Sequence, residues 1–121
     1  MGRLSVVIPT KGRPQITARL AAALASQTRP PDHVYVVGAS ENDVAAVAPR
    51  AGVTTLVGRP GLCRQRNDAL AAGAAQSDVI VFFDDDFVPS RFWLERLEAP
   101  FEARPEIVAV TGAVLDDGAK T

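Results

Sequence analysis

Scarce residue types and missing patterns already limit what this chain of 121 residues can be. Cys63 is the only cysteine, so no internal disulfide can form and a reducing compartment, the cytoplasm, is expected. The 13 basic residues nearly balance the 14 acidic ones, so no positive field points to nucleic acid as a partner. No apolar run approaches the length of a transmembrane span, and the first predicted strand begins so early that we expect no signal peptide.

Signals for several enzyme classes are also absent. No Gly-x-Gly-x-x-Gly follows any predicted strand, which argues against a dinucleotide-dependent oxidoreductase. Neither Cys63 nor the single His33 has a catalytic partner nearby in the sequence. We therefore predict a structural role for His33, a buried or half-buried and unreactive thiol at Cys63, and a packing role for Trp93.

The chain does contain a regular alternation of strand and helix patterns. Short β-branched and apolar runs predict strands at residues 4–8, 34–37, 53–57, 79–83 and 107–110. Helices are predicted from Pro14 with Ile16, Leu20, Ala23 and Leu24 on one face, at 43–48, at 62–75, and from a cap at Ser90 with Leu94, Leu97 and Phe101 on one face. This order predicts one α/β domain spanning 1–121, a three-layer αβα sandwich with a Rossmann-like, mainly parallel sheet.

Three consecutive aspartates, Asp84, Asp85 and Asp86, follow the fourth predicted strand. Ligands of open α/β sheets bind at the carboxyl ends of the strands, which is where these acids fall. In an extended chain Asp84 and Asp86 face one side and Asp85 points away. Two such carboxylates favour a shared Mg²⁺ or Mn²⁺ that would also bind phosphate oxygens. The alternative is that the acids only cap the helix predicted near Ser90.

Basic residues occur in two other connections of the predicted sheet. Lys11 and Arg13 follow the first strand, and Arg66 belongs to the helix that precedes the fourth. Because connections after different strands converge on one edge, we expect Arg66 to share a cleft with Asp86. The alternatives are a solvated Arg66 paired with an acid such as Asp68, and a loop that is basic without any function.

Four segments in a fixed order resemble the amino-terminal half of the family-2 glycosyltransferases. They are SVVIPTKGRP at 5–14, SQTRPP at 26–31, GLCRQRNDAL at 61–70 and FFDDDFVP at 82–89. The resemblance implies a fold of the GT-A type that binds a nucleotide-diphosphate sugar of the UDP or GDP kind. It also implies Mg²⁺ or Mn²⁺ as cofactor, and inverting sugar transfer when the enzyme is complete.

The resemblance further implies roles for individual residues. It places nucleotide-sugar binding at Pro9, Thr10, Lys11, Arg13, Arg66, Asn67, Asp84 and Asp85. Within this set the loop after the first strand lies under the nucleobase, and Arg66 and Asn67 line the base and diphosphate side. Asp84 approaches the ribose, and Asp86, with Asp84, holds the divalent cation.

The sequence departs from the family in two places. The family typically ends its second strand with an acid that recognises the base, whereas here Gly38 follows the strand; Ser40, Glu41 or Asp43 are the candidate substitutes. The sequence contains no recognisable acceptor-binding half. It also offers no catalytic base, because Asp116 and Asp117 are typical of a turn. The acceptor and the catalytic residue therefore stay unknown at this level.

Two other functional classes are alternatives to a glycosyltransferase. An inactive nucleotide-binding or regulatory module that works with a partner chain has the same sequence features. A phosphoacceptor receiver domain needs an acid pair after its first strand, where this chain has Pro9 and Thr10.

We also expect self-association through residues 107–114, because apolar surface beside the last predicted strand would otherwise stay exposed.

Overall fold

The computed structural model of the chain describes residues 2–104. Within these residues, four parallel strands form one sheet in the order β3-β2-β1-β4. The strands are β1 (Leu4–Thr10), β2 (His33–Gly38), β3 (Val53–Val57) and β4 (Val79–Phe82). The helices are α1 (Pro14–Leu24), α2 (Glu41–Val44), α3 (Leu62–Ala72) and α4 (Trp93–Ala103), with a 3₁₀ turn at Ala74–Gln76.

Apolar side chains fill both faces of this sheet, so the predicted three-layer α/β fold is confirmed. On one face Val6, Ile8 and Val36 pack with residues of α1 and α4, including Leu24 and Leu94. On the other face Val7, Tyr35 and Val37 pack against the α3 side, at Ala69 and Ala74. All seven residues of β1 are buried, as expected for the central strand of a sheet covered on both faces.

The strand order reverses beside β1, and this reversal defines the functional edge. The chain moves outward from β1 through β2 to β3, then returns to the other side of β1 as β4. Open parallel sheets bind ligands outside the carboxyl ends of the strands at such a reversal. The connections after β1 and β4 are therefore where a ligand site is expected.

Pro9 does not end the first strand, contrary to the sequence-based expectation. The Phe83 N–H donates to the Val7 carbonyl (3.0 Å), so Val7 directs its polar backbone groups toward β4. Pro9, two residues later, faces the same way and has no N–H to donate. Pairing with β4 stops at Val7 opposite Phe82, while pairing with β2 continues to Thr10 opposite Gly38.

The buried face of α1 is rotated relative to the predicted one. Thr17, Leu20, Ala21 and Leu24 are buried, whereas Ile16 is 41% exposed. Thr17 is accommodated because its hydroxyl hydrogen-bonds the hydroxyl of Thr10 at 2.7 Å. A hydrophobicity pattern cannot anticipate that bond, because it treats threonine as a polar residue.

The bounds of the other helices also differ from prediction. α2 covers Glu41–Val44 instead of 43–48, and α3 ends at Ala72 before the 3₁₀ turn. Ser90 does not cap α4, which begins at Trp93. Buried Gln27 provides that cap instead, because its Oε1 accepts the Leu94 N–H at 3.1 Å. The predicted apolar face of α4 is confirmed, with Leu94 and Leu97 buried.

Some predictions lie outside the described residues. These are the fifth strand at 107–110, the self-association segment at 107–114, and the turn at Asp116 and Asp117.

Candidate functional site

Two connections meet at the carboxyl edge of the sheet, one after β1 and one after β4. The Arg13 guanidinium of the first connection lies between two acids of the second. Its Nη1 is 3.2 Å from Asp85 Oδ1 and 3.3 Å from Asp86 Oδ2. The structure thus brings together Arg13 and two of the three aspartates, which lie more than seventy positions away in the sequence.

Asp85 is the anchored member of the acid cluster. Its Oδ1 accepts a hydrogen bond from Arg13, and its Oδ2 accepts one from the Thr10 hydroxyl at 2.9 Å. The Asp85 side chain is only 12% exposed, whereas that of Asp86 is 61% exposed. Asp85 therefore connects the two loops, and Asp86 presents its carboxylate to solvent.

The extended geometry assumed for the acids does not hold. β4 ends at Phe82, and the Phe87 N–H donates to the Asp84 carbonyl at 3.1 Å, which closes a turn over the cluster. Alternation of side chains along a strand therefore cannot decide which aspartates face a ligand. The acids also do not cap α4, since that helix begins seven positions after Asp86 and is capped by Gln27.

Buried Gln65 of α3 links the ends of β1 and β2 by hydrogen bonds. This role was not predicted from the sequence. The Gln65 Nε2 donates to the Thr10 carbonyl (2.8 Å) and to the Val37 carbonyl (2.9 Å). The Ala39 N–H, which follows the last pair of the β1–β2 ladder, instead donates to Asp43. The available signal was position, because Gln65 lies four residues before buried Ala69, on the core-facing side of α3.

Asp43 fixes the loop that carries Lys11 and Arg13. One carboxylate oxygen accepts the Gly12 N–H at 2.8 Å, and the other accepts the N–H groups of Ala39 and Ser40. These hydrogen bonds, that from Gly12 foremost, hold the pKa of Asp43 below its usual value. Gly12 has φ +71°, a conformation that side chains disfavour, so the turn requires glycine. Of the three candidate substitutes for the base-recognising acid, Asp43 is therefore used by the fold.

Gly38 ends β2 in a space that admits no side chain. A Cβ added there would lie 2.8 Å from the Asp43 Cβ, 2.9 Å from the Ser40 carbonyl oxygen and 3.0 Å from a Val44 methyl. The acid that the family typically carries at the end of the second strand is therefore absent here for a steric reason, because α2 packs directly against Gly38.

Arg66 packs against the end of β4. Its guanidinium carbon lies 5.2 Å from the centre of the Phe82 ring, and its Nε is buried without a hydrogen-bond partner among residues 2–104. The expected alternative of a pair with Asp68 is wrong, since Asp68 binds Arg59 at 3.0 Å. Phe82 is the last residue of β4, so Arg66 lies at the same end of the sheet as the acids.

The other predicted residues differ in exposure. Lys11, Asn67 and Asp84 are exposed near this edge, whereas Pro9 is buried within β1. Cys63 is exposed in the first turn of α3, so the prediction of a buried or half-buried thiol was wrong. The usual burial of a lone thiol does not hold here, because Gln65 and Ala69 form the buried side of α3.

His33 and Trp93 have structural contacts in agreement with their predicted roles. The His33 Nε2 and the Thr54 hydroxyl lie 2.7 Å apart, and burial, with Arg3 nearby, lowers the pKa of His33. The Trp93 ring meets the Phe83 ring edge-on, with centres 4.9 Å apart.

The acids at this edge carry carboxylate oxygens, which are the donors that Mg²⁺ and Mn²⁺ prefer. Within residues 2–104, no three acidic, histidine or cysteine side chains form a closed metal site. Asp84 and Asp86 nevertheless offer exposed carboxylate oxygens, and Mg²⁺ commonly takes one or two carboxylates and completes its shell with phosphates and water. The Arg13 guanidinium beside Asp86 shows that this position already holds a positive charge.

Comparison with known proteins identifies the family of this chain. The family model described as "Glycosyl transferase family 2" matches residues 5–120. The chain belongs to glycosyl transferase family 2.

Solved structures extend the comparison for this family-2 chain. The crystal structure of S. aureus TarS matches with a TM-score of 0.58 and 22% sequence identity, over 95% of this chain. At that identity the match supports the fold. The family-2 chain spans only 23% of the TarS chain, and a search of curated proteins found no match. None of the helices within residues 2–104 combines the length and apolarity needed to cross a membrane.

Proposed function

We propose that this chain is the donor-binding half of an inverting glycosyltransferase that uses a UDP- or GDP-sugar in the cytoplasm. One observation carries the proposal. The chain belongs to family 2, and its loop after β1 meets the acids after β4 at the carboxyl edge of the sheet. Arg13 joins the two connections through its contacts with Asp85 and Asp86. This edge is where parallel sheets of this topology bind nucleotides.

Each part of the edge has a role in this proposal. The end of β1, with Pro9 and Thr10, and Lys11 in the connection that follows lie under the nucleobase. Arg66 and Asn67 of α3 line the base and diphosphate side. Asp84 approaches the ribose. Arg13 and Asp85 complete the nucleotide-sugar site between the two loops.

The departing nucleoside diphosphate determines which charges the site needs. Its negative charge increases as the bond to the sugar breaks, so positive groups placed in advance lower the barrier. Asp86 and Asp84 would hold Mg²⁺ or Mn²⁺, which supplies Lewis-acid stabilisation of the diphosphate. Arg66 adds a second positive charge, and its buried Nε–H has no hydrogen-bond partner among residues 2–104.

A catalytically inactive nucleotide-binding module that acts with a partner chain is the second candidate. It is favoured by the engagement of other acids in hydrogen bonds of the fold. Asp43, Asp68 and Asp78, for example, each bind a backbone N–H away from the acid cluster. Both candidates require nucleotide binding, and only the first requires sugar transfer by the complete enzyme.

The proposal is tested by calorimetric titration of the whole chain with UDP and with GDP, each with Mn²⁺, with Mg²⁺ and with EDTA. We expect binding of at least one nucleotide that depends on the divalent cation. Asp86→Asn should reduce the affinity to the level measured in EDTA, because an amide is a much poorer ligand for a hard cation.

Glu95→Gln is the matched control, because Glu95 is an exposed acid of α4 outside the edge loops. It should bind nucleotide as the unmodified chain does. The same nucleotide affinity in Asp86→Asn and the unmodified chain, with and without the metal, would refute the assignment of the cation to this cluster.

A further inference from the structure

Arg13 joins two acids whose surroundings differ. Asp85 has both carboxylate oxygens engaged, by Arg13 and by the Thr10 hydroxyl, and is largely buried. Asp86 contacts Arg13 at 3.3 Å and is mostly exposed. One end of this arrangement is fixed to the sheet, and the other faces solvent.

We infer that Arg13 is a built-in counter-ion that occupies the cation position of Asp86 until donor arrives. In the structure Arg13 pairs with both acids. When a nucleoside diphosphate and a divalent cation bind together, Asp86 turns to the cation, and Arg13 stays on Asp85 and faces the diphosphate. The inference rests on the proposed function. It makes Arg13 the residue that determines the order in which the metal and the nucleotide bind.

The energies favour such an exchange. The Arg13 side chain is 50% exposed and that of Asp86 is 61% exposed. An ion pair this exposed contributes little to stability, so it breaks at little cost. The pair with Asp85 is better retained, because Asp85 is only 12% exposed and is oriented by Thr10. A guanidinium has five N–H donors in a planar fork and can bind Asp85 and a phosphate oxygen at once.

Charge then determines the binding order. A divalent cation that arrives alone must displace Arg13 from Asp86 and remain beside its positive charge. A diphosphate that arrives with the cation neutralises both. Arg13 therefore weakens binding of the metal alone and strengthens binding of the metal–nucleotide pair, which makes the two ligands cooperative.

The test measures free Mn²⁺ by electron paramagnetic resonance during titration of the whole chain, without nucleotide and with saturating UDP or GDP. Arg13→Gln should bind Mn²⁺ alone about two- to five-fold more tightly, the range expected when an exposed ion pair is removed. The increase in Mn²⁺ affinity caused by nucleotide should be smaller in this variant than in the unmodified chain. Arg13→Lys should fall between them, since it keeps the charge without the fork.

Arg19→Gln is the control for the loss of one positive charge, because Arg19 is exposed on α1 without an ion pair among the described residues. Thermal melting verifies that each variant is folded. Equal Mn²⁺ affinity in Arg13→Gln and the unmodified chain, or a gain matched by Arg19→Gln, overturns the inference while metal-dependent nucleotide binding still stands. Absence of metal-dependent nucleotide binding in the unmodified chain instead refutes the proposed function.

Discussion

At the scale of single residues, Arg66 carries the most specific prediction. Its guanidinium lies over the Phe82 ring, and its Nε has no hydrogen-bond partner among the described residues. Arg66→Ala should weaken nucleotide binding by about 1 to 3 kcal/mol, the usual effect of removing a charge-assisted hydrogen bond. Calorimetry with Mn²⁺ present measures it.

Arg64→Ala is the control for Arg66, since Arg64 is an exposed arginine of the same helix. It should change nucleotide affinity far less. Equal losses in the two variants would mean that α3 contributes only general positive charge, and no loss in Arg66→Ala would remove this residue from the site.

The sequence indicated which residues lie together at this edge of the sheet, but not how they are arranged. The sequence indicated Arg13, Arg66 and the three aspartates, and the structure places these at one end of the sheet. It did not indicate that Asp85 would be the anchored acid, because a turn replaces the extended chain after Phe82. Turn geometry depends on contacts with Thr10 and Arg13, which lie far away in sequence.

At the scale of secondary structure, α2 and the β1 connection depend on each other through Asp43. Asp43→Asn should lower the free energy of unfolding by about 1 to 3 kcal/mol at pH 7, because an amide cannot accept from all three N–H groups. The pKa of Asp43 lies below its ordinary 3.8 in the folded chain. The stabilisation is therefore complete at neutral pH and decreases as the pH falls below about 4, through the folded-state pKa.

Urea unfolding of both proteins from pH 7 down to pH 3 measures this dependence. The difference between Asp43→Asn and the unmodified chain should shrink toward the acid end. Glu41→Gln, a change of an exposed acid in the same helix, should show no such trend. A difference that is independent of pH would show that the Asp43 carboxylate is not the titrating group.

The elements themselves were predictable to different degrees. The strands of the described sheet followed from β-branched and apolar runs, because burial on both faces selects such residues. Helix starts were harder. The cap of α4 comes from Gln27, which no local pattern around Ser90 reveals. Gln65 likewise looks like an ordinary polar helix residue until the ends of β1 and β2 are placed beside it.

At the scale of the whole molecule, the donor site and the acceptor chemistry can be separated. Inverting transfer needs a base within about 3 Å of the acceptor hydroxyl. Asp32, Asp43 and Asp68 bind backbone N–H groups of the fold, and the acid cluster is assigned to the donor. We therefore expect the 121-residue chain to bind donor without transferring sugar.

A coupled assay for released UDP or GDP, run with a panel of nucleotide-sugars and sugar acceptors, checks this expectation. Transfer by the chain alone would contradict it and would show that one of its own residues serves as the base. Light scattering after size-exclusion chromatography checks the separate expectation of self-association through 107–114, for which a monomer would be the contrary result.

Gly38 has a consequence for how this sequence can evolve. An acid at that position, as the family typically carries at the end of the second strand, collides with Asp43 and Val44. Replacing Asp43 releases the loop of Gly12 and does not make room at Gly38, because the Ser40 carbonyl oxygen and the Val44 methyl remain in place. A mutational path to the acid that the family typically carries at this position must therefore pass through a rebuilt α2, and a single substitution at Gly38 does not reach it without a clash.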